Sequence, residues 1–105
     1  MADIDPGLLK NYPRFKEIAA HHTSPEGAGR IFSMARPKVA AFTHIIVLKA
    51  GAPLDVPPTD IAARTRTSYD GPLVLGEDLM RFEIDAGAVQ VLDAQGRPVP
   101  AASLR

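Results

Sequence analysis

Four prolines, Pro6, Pro13, Pro25 and Pro37, cut the first 38 residues of this chain into short pieces. Proline fixes φ and lacks an N–H. It fits the first turn of a helix but breaks a helix interior. Residues 72–99 behave differently, with apolar and polar positions alternating between closely spaced turn signals. The chain must therefore combine short helices with short strands, and neither is stable alone in water.

Asp5-Pro6 is a helix start, an N-cap acid followed by a proline at the first helical position. Leu8, Leu9, Tyr12, Phe15, Ile18, Ala19 and His22 then recur at helical spacing, with Pro13 falling inside the pattern. This predicts a single turn at 6–11 and a helix over 12–21. Ser24-Pro25-Glu26 starts a second helix over 25–35, which ends before Pro37. Gly27 and Gly29 each weaken it by about 1 kcal/mol relative to alanine. Gly27-x-Gly29 resembles a fragment of a phosphate loop, but a third glycine, a Gly-Lys-Ser/Thr sequence and a preceding strand are missing. Close backbone packing is the better reading of the two glycines.

Residues 39–48 are almost wholly apolar or β-branched, as in a strand covered on both faces. Gly51 and Pro53 end it, and residues 53–60 form an extended connection in which Pro57 and Pro58 cannot join a sheet ladder. Thr59-Asp60 suits a helix at 60–64, but the β-branched Thr65 and Thr67 favour a strand for the later part of 61–68. Residues 73–75 read as a short strand closed by Gly76. From 79 to 85, Met80, Phe82 and Ile84 face one side and Arg81, Glu83 and Asp85 the other. Asp85-Ala86-Gly87, with Gly87 at positive φ, turns the chain into a return strand at 88–92. A further turn at 93–96 precedes residues 97–99. Met80, Phe82 and Ile84 are expected to be buried on one face, with Val89 and Val91 opposite. The short connections predict antiparallel pairing. The expected fold is α+β and β-dominant. A helical arm over 1–38 precedes an antiparallel β domain over 39–105, a small sheet or open barrel of about five strands, in one compact domain overall.

A chain of 105 residues forms one domain with a thin core. Aromatic residues make up 6% and tryptophan is absent, so aliphatic side chains carry that core, which a partner is expected to share. Absence of cysteine excludes disulfides, thiol nucleophiles and thiolate metal sites. Formal net charge is +0; residues 1–38 hold six Lys/Arg against four Asp/Glu, and the remainder six against eight. No basic face is concentrated enough for nucleic acid, and near-zero charge favours association. The longest apolar run, 39–48, is too short to span a bilayer and contains His44. A protein without membrane contact is expected, cytoplasmic or part of a particle assembled inside the cell.

Candidate chemistry is sparse. His21 and His22, adjacent on a helix, point about 100° apart and cannot readily share a metal. A zinc site would need converging ligands from Asp55, Asp60 or Asp70 as well. His44 sits among apolar neighbours and is expected to be a buried structural histidine. No serine has a nucleophile-elbow setting, and pairing of His44 with Ser68 has no sequence support. Glu83 and Asp85, about 7 Å apart along a strand, read as the solvated side of the hairpin. Arg64 and Arg66, interleaved with Thr65 and Thr67, would share one strand face and suit a carboxylate, a phosphate or a neighbouring subunit's acids. No catalytic residue, metal or cofactor is assigned. The expected function is a non-enzymatic structural or interaction protein, a subunit of a homo-oligomer or larger assembly such as a phage particle. Its partner is itself or another protein. The alternatives are a small-molecule binder or small enzyme, with His44, Arg64, Arg66 and Tyr69 at the open end of the sheet, and an inhibitor of another protein.

Overall fold

The computed structural model describes residues 1–49, 51 and 60–105. The proline-rich connection expected at 53–60 lies outside them, apart from Asp60. The fold is α+β. Helix accounts for 35% of the described residues and strand for 22%, so helix outweighs strand, contrary to expectation. In place of one antiparallel sheet there are three two-stranded sheets, and no barrel closes among the described residues.

The helical arm follows its start signals. Helix α1 (Pro6–Asn11) is capped by Asp5, whose Oδ1 accepts from the Gly7 N–H at 2.7 Å. Tyr12 is extended, and α2 (Pro13–Ala20) begins immediately after it, so Pro13 divides two helices rather than breaking one. Helix α3 (Pro25–Ala35) is capped by Ser24, whose Oγ accepts from the Gly27 N–H at 3.1 Å. It ends at Arg36, in the left-handed region at φ 46°, whose N–H donates to the Phe32 carbonyl at 2.8 Å.

The apolar run at 39–48 is two strands, not one. Strand β2 is Ala40–Phe42 and β3 is Ile46–Leu48. Between them His44 takes φ 51°, a conformation that histidine tolerates better than β-branched residues. The N-terminal ammonium holds this corner, donating to the Thr43 and His44 carbonyls at 3.4 and 3.3 Å. The break lets one apolar run serve two sheets. Strand β1 (Ala2–Ile4) pairs parallel with β3, and β2 pairs parallel with β4 (Leu73–Leu75). Short connections imply antiparallel pairing only between strands that are consecutive in the chain. Here each pair is joined by a crossover containing helices, which permits parallel order.

Residues 61–65 form helix α4 (Ile61–Thr65), not a strand. Ile61 and Thr65 lie one turn apart and are both fully buried, and the Thr65 hydroxyl donates to the Ile61 carbonyl at 2.8 Å. Packing against α3 overrides the strand preference of the threonines. Gly29 of α3 makes this approach possible, since a Cβ there would stand 2.5 Å from the Thr65 carbonyl oxygen. The principal core joins Ala28 of α3 to Ala40, Phe42, Val47, Ile61, Tyr69 and Leu73, so residues 1–38 and 39–105 share one interior.

Strands β5 (Arg81–Ile84) and β6 (Val89–Leu92) form the expected antiparallel hairpin, with Phe82 opposite Val91 and Ile84 opposite Val89. Asp85 caps its turn, Oδ1 accepting from the Gly87 and Ala88 N–H groups at 2.8 Å each. The left-handed glycine in this region is Gly96, at φ 78°, not Gly87. A second core cluster of Val74, Val91 and Leu104, with Val39, Met80 and Val99 packed against it, lies under one end of the hairpin. The other end projects beyond it. The expected burial of the apolar face therefore fails along most of β5: Met80 is half-buried, but Phe82 is 38% and Ile84 77% exposed. The radius of gyration is 15.0 Å, against about 13 Å for a compact chain of this length.

Candidate functional site

The four polar residues singled out from the sequence do not meet at one site. Arg64 lies in the last turn of α4 and Arg66 is its C-cap, and each is engaged within the chain by different partners. Arg64 forms a fork with Glu26, Nε to Oε1 at 2.6 Å, and its Nη1 reaches Asp3 at 2.7 Å. Lys49 holds the second Asp3 oxygen at 2.8 Å. This cluster ties β1, α3 and α4 together around Asp3, which is only 5% exposed. Burial pushes the Asp3 carboxyl up, but the hydrogen bonds from Lys49 and Arg64 outweigh it and hold the group below its ordinary value. Arg64 likewise holds Glu26 down, and Glu26 and Asp3 raise the Arg64 pKa in return.

Arg66 donates to the carbonyls of Gly71 and Leu104, at 2.5 and 2.7 Å, and so fastens the last turn (Ala101–Leu104) to the loop before β4. Tyr69 is buried, edge-on to Phe32 with ring centroids 5.5 Å apart, and its hydroxyl donates to the Pro72 carbonyl at 3.1 Å. Burial raises its pKa. His44 lies at the corner between β2 and β3. It is exposed rather than buried, because its left-handed backbone turns it out of the strand. Its ring lies 5.5 Å from that of His22. Desolvation, the nearby N-terminal ammonium, His44 and His21 all lower the His22 pKa. Among the described residues, no three metal-ligating side chains converge.

The surface that stands out is the hairpin. Its apolar face is continuous with the core at Val91 and Met80, then passes over Phe82 and half-buried Val89 to the exposed Ile84. A groove of about 560 Å³ follows it, between Ile84 and Val89 on one side and Val99, Ala101 and Leu104 on the other. A second apolar exposure, Ile31 and Met34, lies one turn apart on α3. The alternation of β5 was legible in the sequence, but it gives a face and not what covers that face. Of the partners of Arg64, Asp60 stands four residues before it at 3.7 Å, but Asp3, 61 residues away, carries no local signal. No protein-family model matches this chain, and no curated protein shows significant similarity to it. Among the described residues, no helix is long and apolar enough to cross a membrane.

Proposed function

We propose that this chain is a non-enzymatic structural subunit that acts by associating with copies of itself, alone or within a larger assembly such as a phage particle. The observation that carries this reading is the apolar face of the β5–β6 hairpin, which leaves the core and continues uncovered to Ile84. Apolar surface continuous with a core and left in water is a feature of interaction sites. The separateness of the sheets supports the same reading, because a two-stranded sheet gains independent stability only from further strands or cover. The engagement of Arg64, Arg66 and Tyr69 by the chain's own carboxylates and carbonyls favours an architectural role for them over ligand capture.

Light scattering on the full chain across a hundredfold range of concentration tests the proposal. The expected mass rises from that of one chain, 11.2 kDa, to an integral multiple of it. A constant single-chain mass would remove self-association and favour the small-molecule reading.

A further inference from the structure

Building on the reading of the chain as an assembling subunit, we infer that the open edge of β5 pairs with the same edge of a second copy, antiparallel and two-fold symmetric about Phe82.

The hydrogen-bond phase of the hairpin shows which groups are free. The Asp85 N–H donates to the Ala88 carbonyl at 3.1 Å, so residues 85 and 88 form a bonded pair. Alternation then turns the amides and carbonyls of Glu83 and Arg81 toward β6, and those of Phe82 and Ile84 outward. The far edge of β6 is taken at one end: the Val91 carbonyl accepts from the Val99 N–H at 2.8 Å, and the Asp93 N–H donates to the Arg97 carbonyl at 2.8 Å. Among the described residues, the outer edge of β5 is thus unpaired along its whole length, whereas that of β6 is engaged at its Val91–Asp93 end. Strand β5 carries no proline, and its two charged residues, Arg81 and Glu83, are of opposite sign.

Charge selects the register. Outward-facing residues must meet outward-facing residues. A two-fold axis at Arg81 sets arginine against arginine, one at Glu83 sets glutamate against glutamate, and one at Ile84 sets Glu83 against Asp85. Like charges directly opposite are unfavourable. An axis at Phe82 sets Arg81 against the second copy's Glu83, twice by symmetry, and is self-complementary as a two-fold contact requires. In that register Phe82 exchanges both backbone hydrogen bonds with its counterpart. The Ile84 N–H meets the Met80 carbonyl of the second copy, which suits a residue whose own N–H already donates to the Glu77 carbonyl at 3.2 Å. Phe82 packs on Phe82 and Ile84 on Met80, on the same face as Val89 and Val91.

Sedimentation equilibrium on the full chain, Arg81→Glu, Glu83→Arg and an equimolar mixture of the two variants tests the pairing. Each variant alone is expected to dimerise roughly tenfold or more weakly, because both cross-copy pairs become repulsive. The mixture should recover a dimer, since both pairs are then attractive, one as in the wild type and one with reversed sign. Phe82→Pro removes the central N–H without touching the β6 ladder and should give a monomer. Circular dichroism checks that its hairpin is kept, and if it is not, the charge-reversal series decides. If the wild type dimerises and no variant weakens it, this pairing is wrong while the assembly reading stands. If the single variants weaken the dimer and the mixture does not recover it, the register is wrong. A wild type that remains monomeric up to millimolar concentration overturns both.

Discussion

At Gly29 a single hydrogen in place of a methyl group decides whether two helices can touch. A Cβ there would stand 2.5 Å from the Thr65 carbonyl oxygen and 2.6 Å from the Ser68 Oγ, inside any real contact distance. At Gly27, on the same helix, the nearest atom would be the Ser24 Oγ at 3.1 Å. Alanine raises helix propensity at either position by about 1 kcal/mol. At Gly29 the overlap is with backbone and outweighs that gain, so Gly29→Ala should destabilise by about 1–3 kcal/mol. Gly27→Ala should have a much smaller effect. Chemical denaturation of both variants measures the difference, and equal effects would mean that α3 and α4 do not pack as described. In the sequence the two glycines look alike, because what distinguishes them is a carbonyl 36 residues away (65 − 29). The same limit applies to Arg64: its charge and its neighbouring threonines were legible, but Asp3 and Glu26 reach it only through the fold.

Among the elements, helix starts and tight turns were readable because their signals are local. Ser24-Pro25 capped α3 as expected, Asp5-Pro6 capped α1, and the alternation at 79–92 gave both strands of the hairpin. Elements defined by distant partners were not. The run at 39–48 divides because β3 pairs with β1 and β2 with β4; its two polar residues, Thr43 and His44, stand at the corner, but polarity alone does not tell a break from a continuous strand. Residues 61–65 became helical because Ile61 and Thr65 fill one buried face against α3. The hairpin shows the limit most clearly, since alternation fixes which side chains share a face but not how far the core extends beneath them. Its two strands should therefore respond unequally to truncation. Val91, 2% exposed, should cost about 2 kcal/mol or more as alanine. Phe82, though larger, should cost only about 1–2 kcal/mol in the isolated chain, well below the 3–5 kcal/mol of a core phenylalanine. Thermal denaturation at low protein concentration reads both. A Phe82→Ala loss above that of Val91→Ala would mean that the apolar face of β5 is covered within one chain.

For the whole molecule, the principal axes span 47, 31 and 20 Å, an elongated shape for a chain of this length. The core forms as two clusters, one between α3, α4 and the first strands, the other beneath the hairpin, and neither covers the hairpin tip. The mixture of helix and strand and the balance of charge were legible in the sequence, but the expected dominance of strand was not borne out. The division into three small sheets was not, because it depends on which distant strands meet. The central claim is that the edge of β5 is left open by one chain and closed by another. Amide hydrogen exchange of the full chain at low and high concentration tests it most directly, read at the N–H groups of Phe82 and Ile84 against the inward-facing Glu83. The expected result is fast exchange at Phe82 and Ile84 in dilute solution and marked slowing on concentration, with Glu83 protected throughout. Exchange at Phe82 and Ile84 that stays fast at every concentration at which the chain self-associates would contradict it.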